Sequence, residues 1–119
     1  MKSIPFSELG KIHQYKTISS GESGTVFYLK IPESCVGFIR KMANTFYRDT
    51  YYQLIIDGEI VENKIERTVG EIDNPVAINP PILVRNYIKV IGVNNSDCPV
   101  TFEFLIDGEA YHVKSSLQN

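Results

Sequence analysis

Apolar residues in this chain recur mostly at every second position, in short runs separated by clusters of Gly, Pro, Asn, Asp and Ser. A period of two is that of a strand with one face buried. Val26-Phe27-Tyr28-Leu29-Lys30-Ile31 is rich in β-formers and stops at Pro32. Ile12 to Ile18 alternates loosely and runs into the turn cluster Ser19-Ser20-Gly21-Glu22-Ser23-Gly24. Twice an apolar run ends in the same four residues, Ile56-Asp57-Gly58-Glu59 and Ile106-Asp107-Gly108-Glu109. Asp-Gly between alternating apolar residues signals a two-residue hairpin, because a type I′ turn needs positive φ at both central positions. The first pair predicts a hairpin of Tyr51–Ile56 with Ile60–Val69. The second predicts one of Val100–Ile106 with Ala110–Val113. The residues flanking the two turns match only in part, so they do not constitute a repeat.

Val36 to Tyr47 reads either way. Arg40-Lys41-Met42-Ala43 are good helix formers, whereas Gly37 and the β-rich flanks favour a strand with Val36, Phe38, Met42 and Phe46 on one face. The strand is the expectation adopted. Residues 70–81, with Pro75, Pro80 and Pro81, predict a long stiff connection, since Pro fixes φ and removes a ladder donor. Ile82 to Val93 is the longest β-like run; Ile82, Val84, Ile88 and Val90 form its cleaner apolar face, and Leu83, Tyr87, Ile91 and Val93 share the other with Arg85 and Lys89. Eight or so strands with turns about every ten residues point to an all-β protein, a two-layer antiparallel β-sandwich, of which the jelly roll is one form. Its expected organisation is an N-terminal arm (1–10), a sandwich domain (11–114) and a polar tail (115–119).

Twelve basic against 14 acidic residues leave no basic excess to displace counterions from phosphates, so nucleic acid is not an expected partner. No apolar run is long enough to serve as a signal peptide or to span a bilayer. The expectation is a soluble protein made in the cytoplasm, with no membrane partner. Cys35 and Cys98 are the two cysteines, either a pair of ordinary thiols or one bridge; the reducing compartment favours the thiols.

Candidate chemistry is sparse. Glu59, Glu62, Glu66, Glu71 and Asp73 fall close together, but Glu62 and Glu66 alternate with apolar residues as a solvated strand face does. His13 and His112 lie far apart and lack further ligands at metal-binding spacing. Ser23 has no strand-to-helix elbow. The expectation is a protein without catalytic residues, metal or cofactor. What remains is surface: Tyr47, Tyr51, Tyr52 and Tyr87, with Arg48, Arg85 and Asn86, would make an aromatic-polar patch suited to a subunit interface or a sugar. Ile4, Phe6 and Leu9 in the arm need an apolar partner, expected on another chain or along an outer strand instead of in the core.

Ile31-Pro32, Val36-Gly37-Phe38-Ile39, Asp49-Thr50-Tyr51-Tyr52, the Asp57-Gly58 turn, Asn79-Pro80-Pro81-Ile82 and Asn94-Asn95 together resemble small accessory virion proteins of tailed bacteriophages. These are compact β-sandwiches that decorate capsids or build necks and tails. The resemblance implies a structural protein of the virion, synthesised in the host cytoplasm, without catalytic residues. Its partners would be copies of itself and a major capsid or tail protein, with an arm laid across a neighbour. A carbohydrate-binding or receptor-recognition module using the tyrosine patch is the alternative.

Overall fold

The structure, a computed structural model, describes residues 2–113; the tail 115–119 lies outside the described residues. The elements are β1 (Ser3–Pro5), a 3₁₀ turn (Phe6–Glu8), β2 (His13–Ile18), β3 (Ser23–Lys30), β4 (Cys35–Asn44), β5 (Thr50–Ile56), β6 (Glu59–Ile65), β7 (Val76–Val84), β8 (Tyr87–Asn94) and β9 (Val100–His112). They form two antiparallel sheets. In one, β9 pairs with β4, β4 with β7, and β1 and β2 lie in succession along the free side of β9. The other runs β3-β8-β5-β6. From β2 onward the chain changes sheet at every connection except the β5–β6 hairpin. That alternation is the double Greek-key wiring of a jelly roll. Among the described residues no helix is long and apolar enough to cross a membrane.

Only one Asp-Gly pair turns the chain. Asp57 and Gly58 have φ of 53° and 86°, as a type I′ hairpin requires. Asp107 and Gly108 do not turn at all; they lie inside β9, which runs straight from Val100 to His112 and pairs with β4 along most of its length. The predicted second hairpin is therefore wrong. Gly108 is needed for a different reason. Opposite it β4 inserts one extra residue, Arg40, into the ladder, and a Cβ on Gly108 would stand 2.0 Å from the Phe38 carbonyl oxygen. The glycine permits close backbone approach at a bulge.

The same bulge resolves the ambiguous segment. Cys35–Asn44 is a strand, as expected, but its inward face is Cys35, Gly37 and Ile39, then Met42 after the inserted residue; Val36 and Phe38 point outward. A second departure concerns Ile82 to Val93, which is not one strand. The chain leaves β7 at Val84, bends through Arg85-Asn86, and enters the other sheet as β8. The expected apolar face survives this corner, with Val84, Ile88 and Val90 fully buried. Residues 76–81, expected in a connection, belong to β7. As an edge strand it tolerates Pro80 and Pro81.

The arm is not an arm. β1 extends the sheet along β9, and Phe6 is completely buried in the core, with Ile4 and Leu9 packed against it. Its ring rests over Gly37 and Gly108, where added Cβ atoms would stand 3.2 Å and 3.0 Å from ring carbons. Two glycines on adjacent strands leave a hollow, and Phe6 fills it. Residues 1–10 are thus not a separate unit from the sandwich. Around Phe6 the core continues between the sheets through Phe27, Ile39, Leu54, Ile88, Phe102, Phe104 and Ile106.

Candidate functional site

The aromatic patch expected from the sequence is not assembled. Tyr52 is buried, its ring edge-on to Phe102 and Phe104 with centroids 5.4 Å and 5.0 Å away. Tyr51 points outward at the start of β5, opposite Val93, whereas Tyr87 is six residues away along β8, about 20 Å at strand rise. Arg85 and Asn86 sit at the Tyr87 end, and Tyr47 and Arg48 in the β4–β5 loop at the Tyr51 end. Of the arm residues, Phe6 is internal and Ile4 and Leu9 are half-buried.

Three backbone N–H groups hold the Arg85-Asn86 corner in place. Those of Arg85, Asn86 and Tyr87 donate to the Asp57 carboxylate at 2.9, 2.6 and 3.0 Å. Asp57 therefore both makes its own turn and clamps the passage between sheets. Reading Asp57-Gly58 as turn chemistry alone missed this second task.

The surface that the strands do assemble is the outer face of β3-β8-β5-β6. Cross-strand register sets three rows on it: Tyr28, Lys89, Ile55 and Ile60; then Thr25, Ile91 and Gln53; then Ser23, Val93 and Tyr51. Tyr87 and Lys30 pair beside the first row, Tyr28 and Tyr87 stacking at 5.7 Å. Lys64 lays its ammonium 5.1 Å from the centre of the Tyr51 ring. All these side chains are half-buried or exposed, so the face is open. An antiparallel sheet facing water normally alternates polar residues outward, yet here five of the seven outward positions of the central strands are apolar or aromatic. They are Tyr51 and Ile55, either side of Gln53, on β5, and Tyr87, Ile91 and Val93, with Lys89 between, on β8. Among the described residues the face bears Lys30, Lys64 and Lys89 and no carboxylate. None of these lysines has an ion-pair partner among the described residues. The available signal in the sequence was β8 itself, apolar at both parities.

The outer face of the other sheet is different. Its carboxylates are met locally: Glu103 shares a 2.9 Å hydrogen bond with His13 Nε2, Glu109 pairs with Arg40 at 2.6 Å, and Asp107 lies directly across from Lys41. The hydrogen bond to Glu109 pushes the Arg40 pKa further up.

At one end of the sandwich the β2–β3, β4–β5, β6–β7 and β8–β9 loops gather. Buried Asn94 ties them, its Nδ2 donating to the Ile18 and Cys98 carbonyls at 2.8 and 3.0 Å while its Oδ1 accepts from the Ser96 N–H and hydroxyl. Asn44 fastens the β6–β7 loop through Arg67 and Val69 in the same manner. These loops expose Glu22, Asp49, Glu66, Glu71, Asp73 and Asp97 against only Arg48 and Arg67. A groove of about 410 Å³ among them is lined by Phe46, Tyr47, Thr68, Glu71, Ile72 and Asp73.

Backbone pairing with another chain is discouraged at every edge. β6 is bulged twice against β5, and β7 carries Pro80 and Pro81. On β3, the Gln14 side chain occupies both backbone groups of Tyr28, donating to its carbonyl at 2.8 Å and accepting its N–H at 3.1 Å. On the remaining edge, β1 and β2 are interrupted by the 3₁₀ turn. Natural sheets blunt their edges by such means.

Comparison with known proteins adds no family: no family model matches the chain, and no curated protein matches it. Among the described residues no group of three or more His, Cys, Asp or Glu could hold a metal ion. Cys35 and Cys98 are free thiols. The Cys35 sulfur lies 3.7 Å from His112 Nδ1. What this molecule presents is a pair of rigid, chemically unlike surfaces.

Proposed function

We propose that this protein is a structural, non-enzymatic component of a virus particle, a capsid decoration or other accessory virion protein, that acts by associating with copies of itself and with a major capsid or tail subunit. The observation that carries this reading is the open outer face of β3-β8-β5-β6, where Tyr51, Ile55, Ile60, Ile91 and Val93 stand without a covering layer among the described residues. Exposed contiguous apolar surface on a folded domain marks an interaction site. The jelly roll supports the same reading, being an architecture of viral capsid domains, with a frame rigid enough to hold a face in fixed orientation. Symmetric assembly would then multiply contacts that are individually weak.

Light scattering on the purified protein and co-sedimentation with particles assembled from the major subunit test the proposal. Concentration-dependent self-association and saturable particle binding are the expected results. A protein that stays monomeric and never sediments with particles overturns it.

A further inference from the structure

The lysine-bearing sheet face and the acidic loop end occupy different parts of one molecule, and their chemistries are complementary. In a chain with more acids than bases overall, the outer face of β3-β8-β5-β6 holds three lysines and, among the described residues, no carboxylate. The end formed by the β2–β3, β4–β5, β6–β7 and β8–β9 loops holds six carboxylates and two arginines. Both surfaces have apolar centres: Ile55, Ile91 and Val93 on the face, and Phe46, Tyr47 and Ile72 at the groove of the loop end. We infer that the loop end of one copy docks on the lysine-bearing sheet face of the next, in a head-to-tail contact. This refines the self-association proposed above and rests on it.

Three physical considerations select this arrangement. Pairing the lysine face with itself would bring like charges together without compensation, which disfavours a two-fold contact there. The outer face of the other sheet has Glu109 paired with Arg40, Asp107 across from Lys41 and Glu103 hydrogen-bonded with His13, so it offers less to an incoming lysine. Growth by strand addition is obstructed by the guarded edges. Within the groove, Glu71 and Asp73 supply charge, and the Phe46 and Tyr47 rings supply faces of the kind an ammonium prefers.

The size of the contact sets its strength. Four strands about 4.8 Å apart and some seven residues long give a face of roughly 19 by 23 Å, about 400 Å². A standard specific interface buries roughly 600 Å² or more on each partner. One such contact is therefore weak and salt-sensitive, and becomes stable when a head-to-tail series closes into a ring.

Sedimentation velocity in 50 mM and 500 mM NaCl tests the inference on the full chain, with Lys89→Glu on the face and the double variant Glu71→Lys/Asp73→Lys on the loop end. Each should weaken self-association at least tenfold at low salt, as should high salt for the wild type. An equimolar mixture of the two variants should associate again. The unaltered loop end of Lys89→Glu meets the unaltered face of the double variant, and the double variant's lysine-bearing loop end meets the face that Lys89→Glu has made acidic. Both contacts of a closing series then pair opposite charges. Thermal melting establishes that the variants fold; Lys64→Glu replaces Lys89→Glu if the latter does not. Wild-type association that neither variant weakens, or a mixture that stays apart, overturns the docking geometry while leaving self-association standing. A wild type that is monomeric at all concentrations overturns both. A fluorescent single-stranded oligonucleotide bound by the wild type and released by Lys89→Glu would assign the lysine face to nucleic acid, and that result also overturns the inference.

Discussion

Tyr52 reaches from one sheet to the other. It belongs to β5, yet its hydroxyl donates to the Glu103 carbonyl of β9 at 3.0 Å and lies 3.1 Å from both the Glu103 N–H and the Thr45 hydroxyl. Burial raises its pKa to about 12, from an ordinary value near 10. The folded state thus holds this proton more tightly than the unfolded chain does. Its contribution to stability is complete below about pH 10 and is lost as the pH rises through about 12. That difference corresponds to roughly 2–3 kcal/mol. The comparison is with Tyr52→Phe, which removes this hydroxyl and leaves the rest of the chain unchanged. Urea unfolding at pH 9 and at pH 12 should show the wild type losing more stability than the variant. Equal losses would mean that the buried hydroxyl does not govern this window.

The two Asp-Gly pairs and the N-terminal segment show how differently elements use similar residues. Asp57→Gly keeps a turn compatible with positive φ but removes an acceptor of three backbone N–H bonds, so it should cost about 2–3 kcal/mol. Asp107→Gly removes a single acceptor, that of the Gly108 N–H at 2.8 Å, and should cost only about 1 kcal/mol. Chemical denaturation of both variants checks the contrast; similar costs would mean that the clamp on the β7–β8 corner contributes nothing. For the N-terminal segment, Phe6→Ala leaves the hollow over Gly37 and Gly108 empty, at about 3–5 kcal/mol. Deleting residues 2–10 should abolish cooperative unfolding or lower Tm by more than about 10 °C. A truncated protein melting like the full chain would return the segment to the status of an arm.

For the molecule as a whole, the guarded edges matter as much as the open face. A sandwich with an apolar outer face risks uncontrolled association if its strand edges are also available. Gln14→Ala would free both backbone groups of Tyr28 on β3 while leaving the core and the lysine face intact. Static light scattering under mild heating should show faster aggregation than the wild type, with little change in Tm. Unchanged aggregation would mean that Gln14 does not protect this edge.

Local pattern was enough to identify much of this architecture. The alternation of apolar residues, the turn clusters and the Asp57-Gly58 hairpin specify antiparallel strands in two layers, because a half-buried strand repeats every two residues and a type I′ turn demands specific residues. Burial of Val84, Ile88 and Val90 was legible for the same reason. Three outcomes belong to tertiary structure alone. Whether Asp107-Gly108 turns or stays extended depends on β4 lying alongside and on a bulge at Arg40, both remote in sequence. Whether Phe6 is an arm residue or a core residue depends on a hollow that Gly37 and Gly108 leave on two other strands. The surface pairing proposed above depends on register, which sets Lys30, Lys64 and Lys89 on one face although the chain separates them by dozens of residues. Sequence determines which way each side chain alternates within its strand; the packing of strands distant in the chain decides which side chains meet.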